Sequence, residues 1–248
     1  MIERRRFLVT GTAGLLVGGC DRLNDNDRFR DMLRSAEGLT KASQRLISAR
    51  DALAREYSAA DMSPIFRSNG TRIPSGEEYA RHVAERFANW RLIVDGLVAR
   101  PLSIPISTLR TLPTRTQITR HDCVEGWSAI GKWHGVQLSR LLDHAGLSTR
   151  AKYIVFHCAD RFGDKNYYES VDLVDAFHPQ TILAWGMNGQ LLPVPNGAPL
   201  RLRVERQLGY KHAKYVERIQ AVDSLEHLYG GKGGYWEDNV DYEWYAGI

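Results

Sequence analysis

His121-Asp122-Cys123-Val124-Glu125-Gly126-Trp127-Ser128 is the stretch on which the reading of this chain turns. It overlaps the end of a run, Gln117 to Cys123, with strand composition, so residues 121 and 123 share a face. A histidine and a cysteine on one face can do several things. His121 can activate Cys123 as a nucleophile, giving a Cys–His hydrolase. A second strand-like run, Tyr153 to Cys158, carries His157 and Cys158, and the two His/Cys groups together suit zinc or copper. In an oxidising compartment Cys123 and Cys158 can close a disulfide, or each can serve as a small buried hydrophobe.

Outward from this stretch, Arg91–Asp95 and Leu200–Glu205 also read as strands, while Leu138–Ala145 and Val171–Phe177 read as helices. Strands and helices do not alternate regularly, so the class is α+β. Upstream, apolar positions from Met32 to Tyr57 recur at three-, four- and seven-residue steps. That spacing predicts an amphipathic helix or helix pair, and Ser63-Pro64 ends it. With 248 residues, 43% of them hydrophobic, the chain can bury a core and is not a disordered polymer. A net charge of +4, with no basic tract interleaved with aromatics, excludes a dedicated nucleic-acid binder.

The N-terminus reads as an address. Arg4-Arg5-Arg6-Phe7-Leu8 and the small-residue apolar run Thr10 to Gly19 resemble a twin-arginine export signal. Val17-Gly18-Gly19-Cys20 resembles a bacterial lipobox, in which Cys20 is acylated, and the following Asp21 resembles an inner-membrane retention signal. The expected division is therefore a signal over residues 1–19, a lipid-anchored tether and amphipathic helix over 20–62, and one domain over 63–248. Twin-arginine export carries folded proteins, often with a cofactor already inserted, so the expected location is the periplasm.

Two blocks then narrow the chemistry. The first continues from Cys123 through Trp133-His134-Gly135-Val136 to Leu138-Ser139-Arg140-Leu141-Leu142. The second runs from Asn196-Gly197-Ala198-Pro199-Leu200-Arg201-Leu202 to Leu208-Gly209-Tyr210-Lys211-His212-Ala213-Lys214. Arg201, Arg203, Arg206, Lys211, Lys214 and Arg218 crowd there against Glu205 and Glu217, a cluster suited to an anionic phosphate. A third block, Phe66-Arg67-Ser68-Asn69-Gly70-Thr71 with Pro74, lies upstream.

Together, in this order, these blocks resemble the sulfite oxidase family of molybdopterin oxidoreductases, and most closely its compact periplasmic, methionine-sulfoxide-reductase-like branch. The resemblance covers roughly residues 63–248. It implies the family's mixed β-sheets with flanking helices, without the immunoglobulin-like dimerisation domain of true sulfite oxidases. It implies a molybdenum–molybdopterin cofactor whose metal is bound by Cys123. Asn69, Cys158, Asn196, Arg201, Lys211, His212, Ala213 and Lys214 fall on cofactor-contact positions or within the pterin-binding block. The implied reaction is two-electron oxygen-atom transfer with a small oxo-donor or oxo-acceptor, and electrons pass to or from a membrane or soluble cytochrome. Ser68 stands where sulfite oxidases have a substrate-binding arginine, which sets sulfite aside unless Arg67 or Arg161 supplies the charge. His121, Asp122, Asp160 and Arg161 are candidates for substrate or proton handling. The competing expectation is a non-catalytic periplasmic binding or assembly lipoprotein with a Cys123–Cys158 disulfide or metal clip.

Overall fold

The structure is a computed structural model and describes residues 27–248, so the export signal and Cys20 lie outside the described residues. Helix α1 (Asp27–Ile47) belongs to one compact unit, which ends at Ala49, and Arg50–Ile248 forms another. Among the described residues no helix is long and apolar enough to cross a membrane. The helix expected to reach Tyr57 ends at Ile47 instead. Ala54 N–H donates to Gln180 Oε1 at 2.8 Å and Tyr57 N–H to the Ile118 carbonyl at 2.9 Å, so this stretch is held as an extended edge. The larger unit therefore starts at Arg50, upstream of the boundary expected at residue 63.

That unit is built on two five-stranded sheets. In the first, the order is β2 (Leu102–Pro105), β1 (Arg91–Gly96), β10 (Val216–Val222), β5 (Tyr153–Phe162) and β6 (Lys165–Asp172). Strands β1 and β10 pair in parallel, and the rest of that sheet is antiparallel. In the second, β3 (Thr114–Cys123), β4 (Trp127–Gln137), β7 (Ile182–Met187) and β8 (Gln190–Leu191) follow one another, and β9 (Arg201–Arg203) pairs with β7. Short helices connect the strands. After α1 come α2 (Glu77–Ala84), α3 (Ile106–Leu109), α4 (Leu138–Ala145), α5 (Leu173–Ala176) and α6 (Tyr235–Val240). The architecture is the mixed α+β arrangement that the sequence predicts.

Helix α4 shows how the pattern works. Leu138, Leu141, Leu142 and Ala145 are all buried, one stripe at helical spacing, and Gly146 ends the helix in the left-handed region at φ 70°. The stretch Val171–Phe177 departs from expectation. Strand β6 continues to Asp172, whose carboxylate then caps the single turn of α5 through the Asp175 N–H. The main core joins Leu92, Val94, Leu138, Leu142, Ile154, Phe156, Val216 and Ile219, while Trp133, Ile182, Ala184 and Met187 form a second cluster with Phe66 on it.

Two features brace this frame. Strands β4 and β7 approach so closely at Gly135 that a Cβ there would stand 2.1 Å from the Leu183 carbonyl oxygen. Lys211 is sealed between two carboxylates, 2.6 Å from Glu169 and 2.5 Å from Glu237, with all three side chains at most 1% exposed. Burial works against the Lys211 ammonium, but the two carboxylates more than offset it and raise its pKa. Burial, and Glu237 beside it, push Glu169 well above the usual carboxylate range, against the pull of Lys211.

Gly135→Ala is expected to cost about 1 to 3 kcal/mol through overpacking, read as a lower midpoint in denaturant. Lys211→Met leaves two buried carboxylates without a cation and is expected to cost about 3 to 5 kcal/mol. Adding Glu237→Gln to Lys211→Met should recover part of that loss. Lys211→Met melting within a degree or two of the parent would show that the triad contributes no net stability.

Candidate functional site

Strand β3 has a polar inner face. Gln117, Thr119, His121 and Cys123 are buried, while Arg120 between them is exposed. A tight turn follows, with Gly126 at φ 84° and its N–H donating to the Cys123 carbonyl at 3.0 Å, and β4 returns with Trp127 opposite Cys123. This turn places Cys123 on the wall of a cleft. Asn69, Asp160, His212 and Lys214 line the same cleft, with Phe162, Tyr167, Tyr210, Trp236 and Tyr242 as its aromatic side. Residues of three separated segments of sequence therefore line one cleft.

Behind Cys123 lies a buried polar layer. Arg203 is 0% exposed and donates to Glu205 through two nitrogens, at 2.9 and 2.6 Å. Its third nitrogen reaches His121 Nδ1 at 3.0 Å, and its guanidinium lies 4.2 Å over the Trp133 ring. Gln117 donates to the same Glu205 at 2.8 Å. Arg201, equally buried, has only neutral partners, the Asn196 carbonyl at 3.1 Å and Asn69 Oδ1 at 3.0 Å. Burial first, then the neighbouring Arg203, bring its pKa down to about 9. Lys214 donates to the carbonyls of Asn69 and Pro195, at 2.7 and 3.0 Å, and to that of Thr71. Burial and Arg201 bring it down to about 7.

The two histidines of this layer stand 5.0 Å apart, ring to ring. Burial first, and then the surrounding arginines, hold both well below the usual imidazole range, so both are neutral. His121 Nε2 faces Gly209, where a Cβ would lie 2.5 Å away, so only glycine fits there. Burial and the Glu125 carboxylate hold the Cys123 thiol up against a backbone hydrogen bond and Arg201, which pull it down. His121 is committed to Arg203, so the pair is not set up as a Cys–His nucleophile.

The other expected residues fall in distinct places. Lys211 belongs to the Glu169–Glu237 triad and does not line the cleft. Cys158 is 1% exposed in the core, with Sγ 3.9 Å from its nearest acceptor, the Phe156 carbonyl. Ala213 contributes its carbonyl, which accepts from Leu202 N–H at 2.8 Å. Asp122 turns outward to Arg120 and Ser128, and Arg161 donates to the Asp164 carbonyl at 2.6 Å. The Ser68 hydroxyl donates to the Pro195 carbonyl.

The disulfide or metal clip is not formed. Cys123 and Cys158 are free thiols on strands of different sheets, and among the described residues no group of three His, Cys, Asp or Glu side chains is placed to hold a metal. Sequence reasoning missed Phe162, Tyr167 and Tyr242 on the cleft wall. Their signal was weak, since an isolated aromatic reads as core until its neighbours are known.

Comparison with known proteins agrees with this geometry. Residues 80–229 match the family model "Oxidoreductase molybdopterin binding domain". A putative protein-methionine-sulfoxide reductase subunit, YedZ1 of Azospira oryzae, is 42% identical over 172 residues, 69% of this chain and 60% of that protein. The crystal structure of the sulfane dehydrogenase SoxCD from Paracoccus pantotrophus superposes with a TM-score of 0.51 at 25% identity, covering 56% of this chain and 40% of that one. The chain thus matches less than two thirds of either protein's length. With its matched segment containing Cys123 and the buried basic layer behind it, the chain belongs to the family of molybdopterin-binding oxidoreductases.

Proposed function

We propose that this chain is an exported, lipid-anchored enzyme that transfers an oxygen atom in a two-electron reaction at a molybdenum–molybdopterin centre. A separate cytochrome exchanges the electrons, one at a time. The observation that carries this reading is the uncompensated positive charge behind Cys123. Arg203 has its own carboxylate, whereas Arg201 and Lys214 have only neutral acceptors. Cations enclosed in this way lack a counter-charge, and an anionic cofactor would provide one. His121 Nε2, His212 Nδ1, Asn196 Nδ2 and Arg201 Nε are buried polar atoms without a protein hydrogen-bond partner. Three of these, His121 Nε2, Asn196 Nδ2 and Arg201 Nε, are N–H donors and fit a ligand rich in acceptors, whereas His212 donates from Nε2 to the Gln207 carbonyl and offers Nδ1 as an acceptor.

Cys123 would bind the metal, since a soft sulfur donor suits molybdenum. Asn69, Asn196, Arg201, His212 and Lys214 would hold the pterin and its phosphate, with Ala213 and Cys158 supporting the backbone and floor beneath it. Lys211 is left out of this set because its charge is already matched. When bound, the cofactor supplies the two-electron redox chemistry that side chains lack. The protein's part is to hold that group, exclude water behind it and shape the substrate side.

That side favours a neutral substrate. Lys214 is the one Lys or Arg among the described lining residues and is accompanied by Asp160 and Glu125, while Phe162, Tyr167, Tyr210, Trp236 and Tyr242 form the aromatic part of the lining. A sulfoxide joined to an apolar chain, such as methionine sulfoxide, suits it better than the sulfite anion. The name of the 42%-identical relative supports the same class. Export to the periplasm rests on Arg4-Arg5-Arg6-Phe7-Leu8, and the anchor on Cys20.

Protein matured in a molybdopterin-competent host should hold close to one molybdenum per chain. Cys123→Ser should change the Mo(V) spin-resonance signal and lower turnover by at least about a hundredfold. A parent that carries no molybdenum would refute the assignment. For the anchor, Cys20→Ala should move the mature chain from the membrane fraction to the soluble periplasmic fraction. Unchanged fractionation would refute lipidation.

A further inference from the structure

Reducing a sulfoxide consumes protons as well as electrons. One sulfoxide takes up two protons and two electrons and gives one sulfide and one water. The sulfur–oxygen bond breaks, the one-electron carrier supplies both electrons, and the oxygen leaves with both protons. A cleft walled by aromatic rings therefore needs a proton donor within reach of the substrate.

Strand β5 places a carboxyl group there. Its register against β6 shifts between His157 and Arg161, and Ala159 N–H leaves the ladder to donate to the Tyr215 carbonyl at 3.0 Å. This irregularity brings Asp160 to the cleft that Cys123 lines. Asp160 is 2% exposed, and its Oδ1 has no hydrogen-bond partner. The Thr71 hydroxyl hydrogen-bonds to the carboxyl. Lys214 lies near, yet its ammonium donates to the carbonyls of Asn69, Thr71 and Pro195.

The groups around Asp160 are Tyr79 from α2, Tyr167 from β6, Tyr215 before β10, Glu217 on β10, and Cys158 on its own strand. Glu125 lines the cleft from the β3–β4 turn. Lys214 is the cation that offsets this set. Burial is the larger influence and brings Asp160 up to about 6. Such a group holds a proton in mildly acidic solution and can release it near neutrality.

We propose that Asp160, in its neutral form, donates one of the two protons to the departing substrate oxygen and is reprotonated from solvent through the cleft. This role rests on the oxygen-transfer reading above. The geometry assigns the donor on three grounds: its place in the cleft, its unpartnered oxygen, and the absence of a committed ion pair.

The test compares molybdenum-loaded parent, Asp160→Asn and Thr71→Val, with methionine sulfoxide as substrate and a reduced viologen as electron donor. Parent kcat should fall as pH rises past about 6. Asp160→Asn should lose that limb and run at least about a hundredfold slower with its molybdenum content unchanged. Thr71→Val removes a hydrogen bond that favours the carboxylate, so it should move the limb to higher pH.

A second readout needs no turnover. Below the ordinary carboxylate pKa both the folded and the unfolded parent carry a neutral Asp160. As pH rises through about 6, the parent must enclose a charge that the variant lacks. The melting temperature of Asp160→Asn minus that of the parent should therefore grow between about pH 4 and pH 6 and level off above that. A flat difference would overturn the proposal. So would an Asp160→Asn enzyme with the parent's rate and pH profile, and in that case the oxygen-transfer reading would stand. A loaded parent that reduces no sulfoxide at any pH would refute the reading of function, and this role with it.

Discussion

A charge enclosed in a protein must be answered there, and in this chain that demand is greatest at the arginine pair of strand β9. Arg201 and Arg203 stand two residues apart on a strand, so both point to one side of the second sheet. Arg203 is satisfied from every direction, by Glu205, His121 and the Trp133 ring, and Gln117 completes the arrangement by binding Glu205. These contacts tie β3 and β4 to β9, which pairs with β7. They explain why β3 turns Gln117 and His121 inward where a strand ordinarily buries apolar side chains. Removing Glu205 would leave a fully enclosed guanidinium with neutral partners only, the most costly state for such a group. Arg201 occupies that state already. Its persistence in the fold makes sense only if something anionic reaches it, which links the packing of the sheet to the binding of a cofactor.

How much of this was legible in the sequence depended on whether a pattern had one buried face. Helix α4 was legible because Leu138, Leu141, Leu142 and Ala145 repeat at the helical period and Gly146 stops it. Strand β7 was hidden, since all six of its residues are buried and period two leaves no trace. Residues 167–171 are likewise buried in succession, and so Val171–Phe177 read as helical when its first two residues belong to β6. Tyr57 kept the helical spacing but lies at the edge of β3, because backbone hydrogen bonds to a sheet override a propensity.

The site was legible in part. Cys123, Asn69, His212 and Lys214 were found from motif order and do line one cleft. Lys211 was grouped with them by charge alone, and two carboxylates distant in sequence, Glu169 and Glu237, take it away. A basic run in sequence records how many cations there are, and only the fold records which are already neutralised.

The same accounting separates the two sides of the cleft. On the Cys123 side, unmatched cations leave room for an anionic group. On the other side the Lys211 triad is matched, and it holds the C-terminal segment in place. Glu237 lies on α6 with Trp236 beside it, and Gly234 comes so near that a Cβ would stand 2.0 Å from Glu237 Oε2. The chain can pass this close to the buried carboxylates only because residue 234 has no side chain. Tyr167 adds a second link, donating to the Tyr210 carbonyl at 2.7 Å while its ring forms part of the cleft wall. Tyr242 then packs on Tyr210 with ring centres 5.1 Å apart. A neutralised buried charge therefore positions the aromatic wall of the cleft, while the cations behind Cys123 are left without a carboxylate. Asp160 lines the same cleft from an irregular stretch of β5, with its side chain buried. A proton donor needs both conditions: enough burial to hold the proton, and enough access to be recharged.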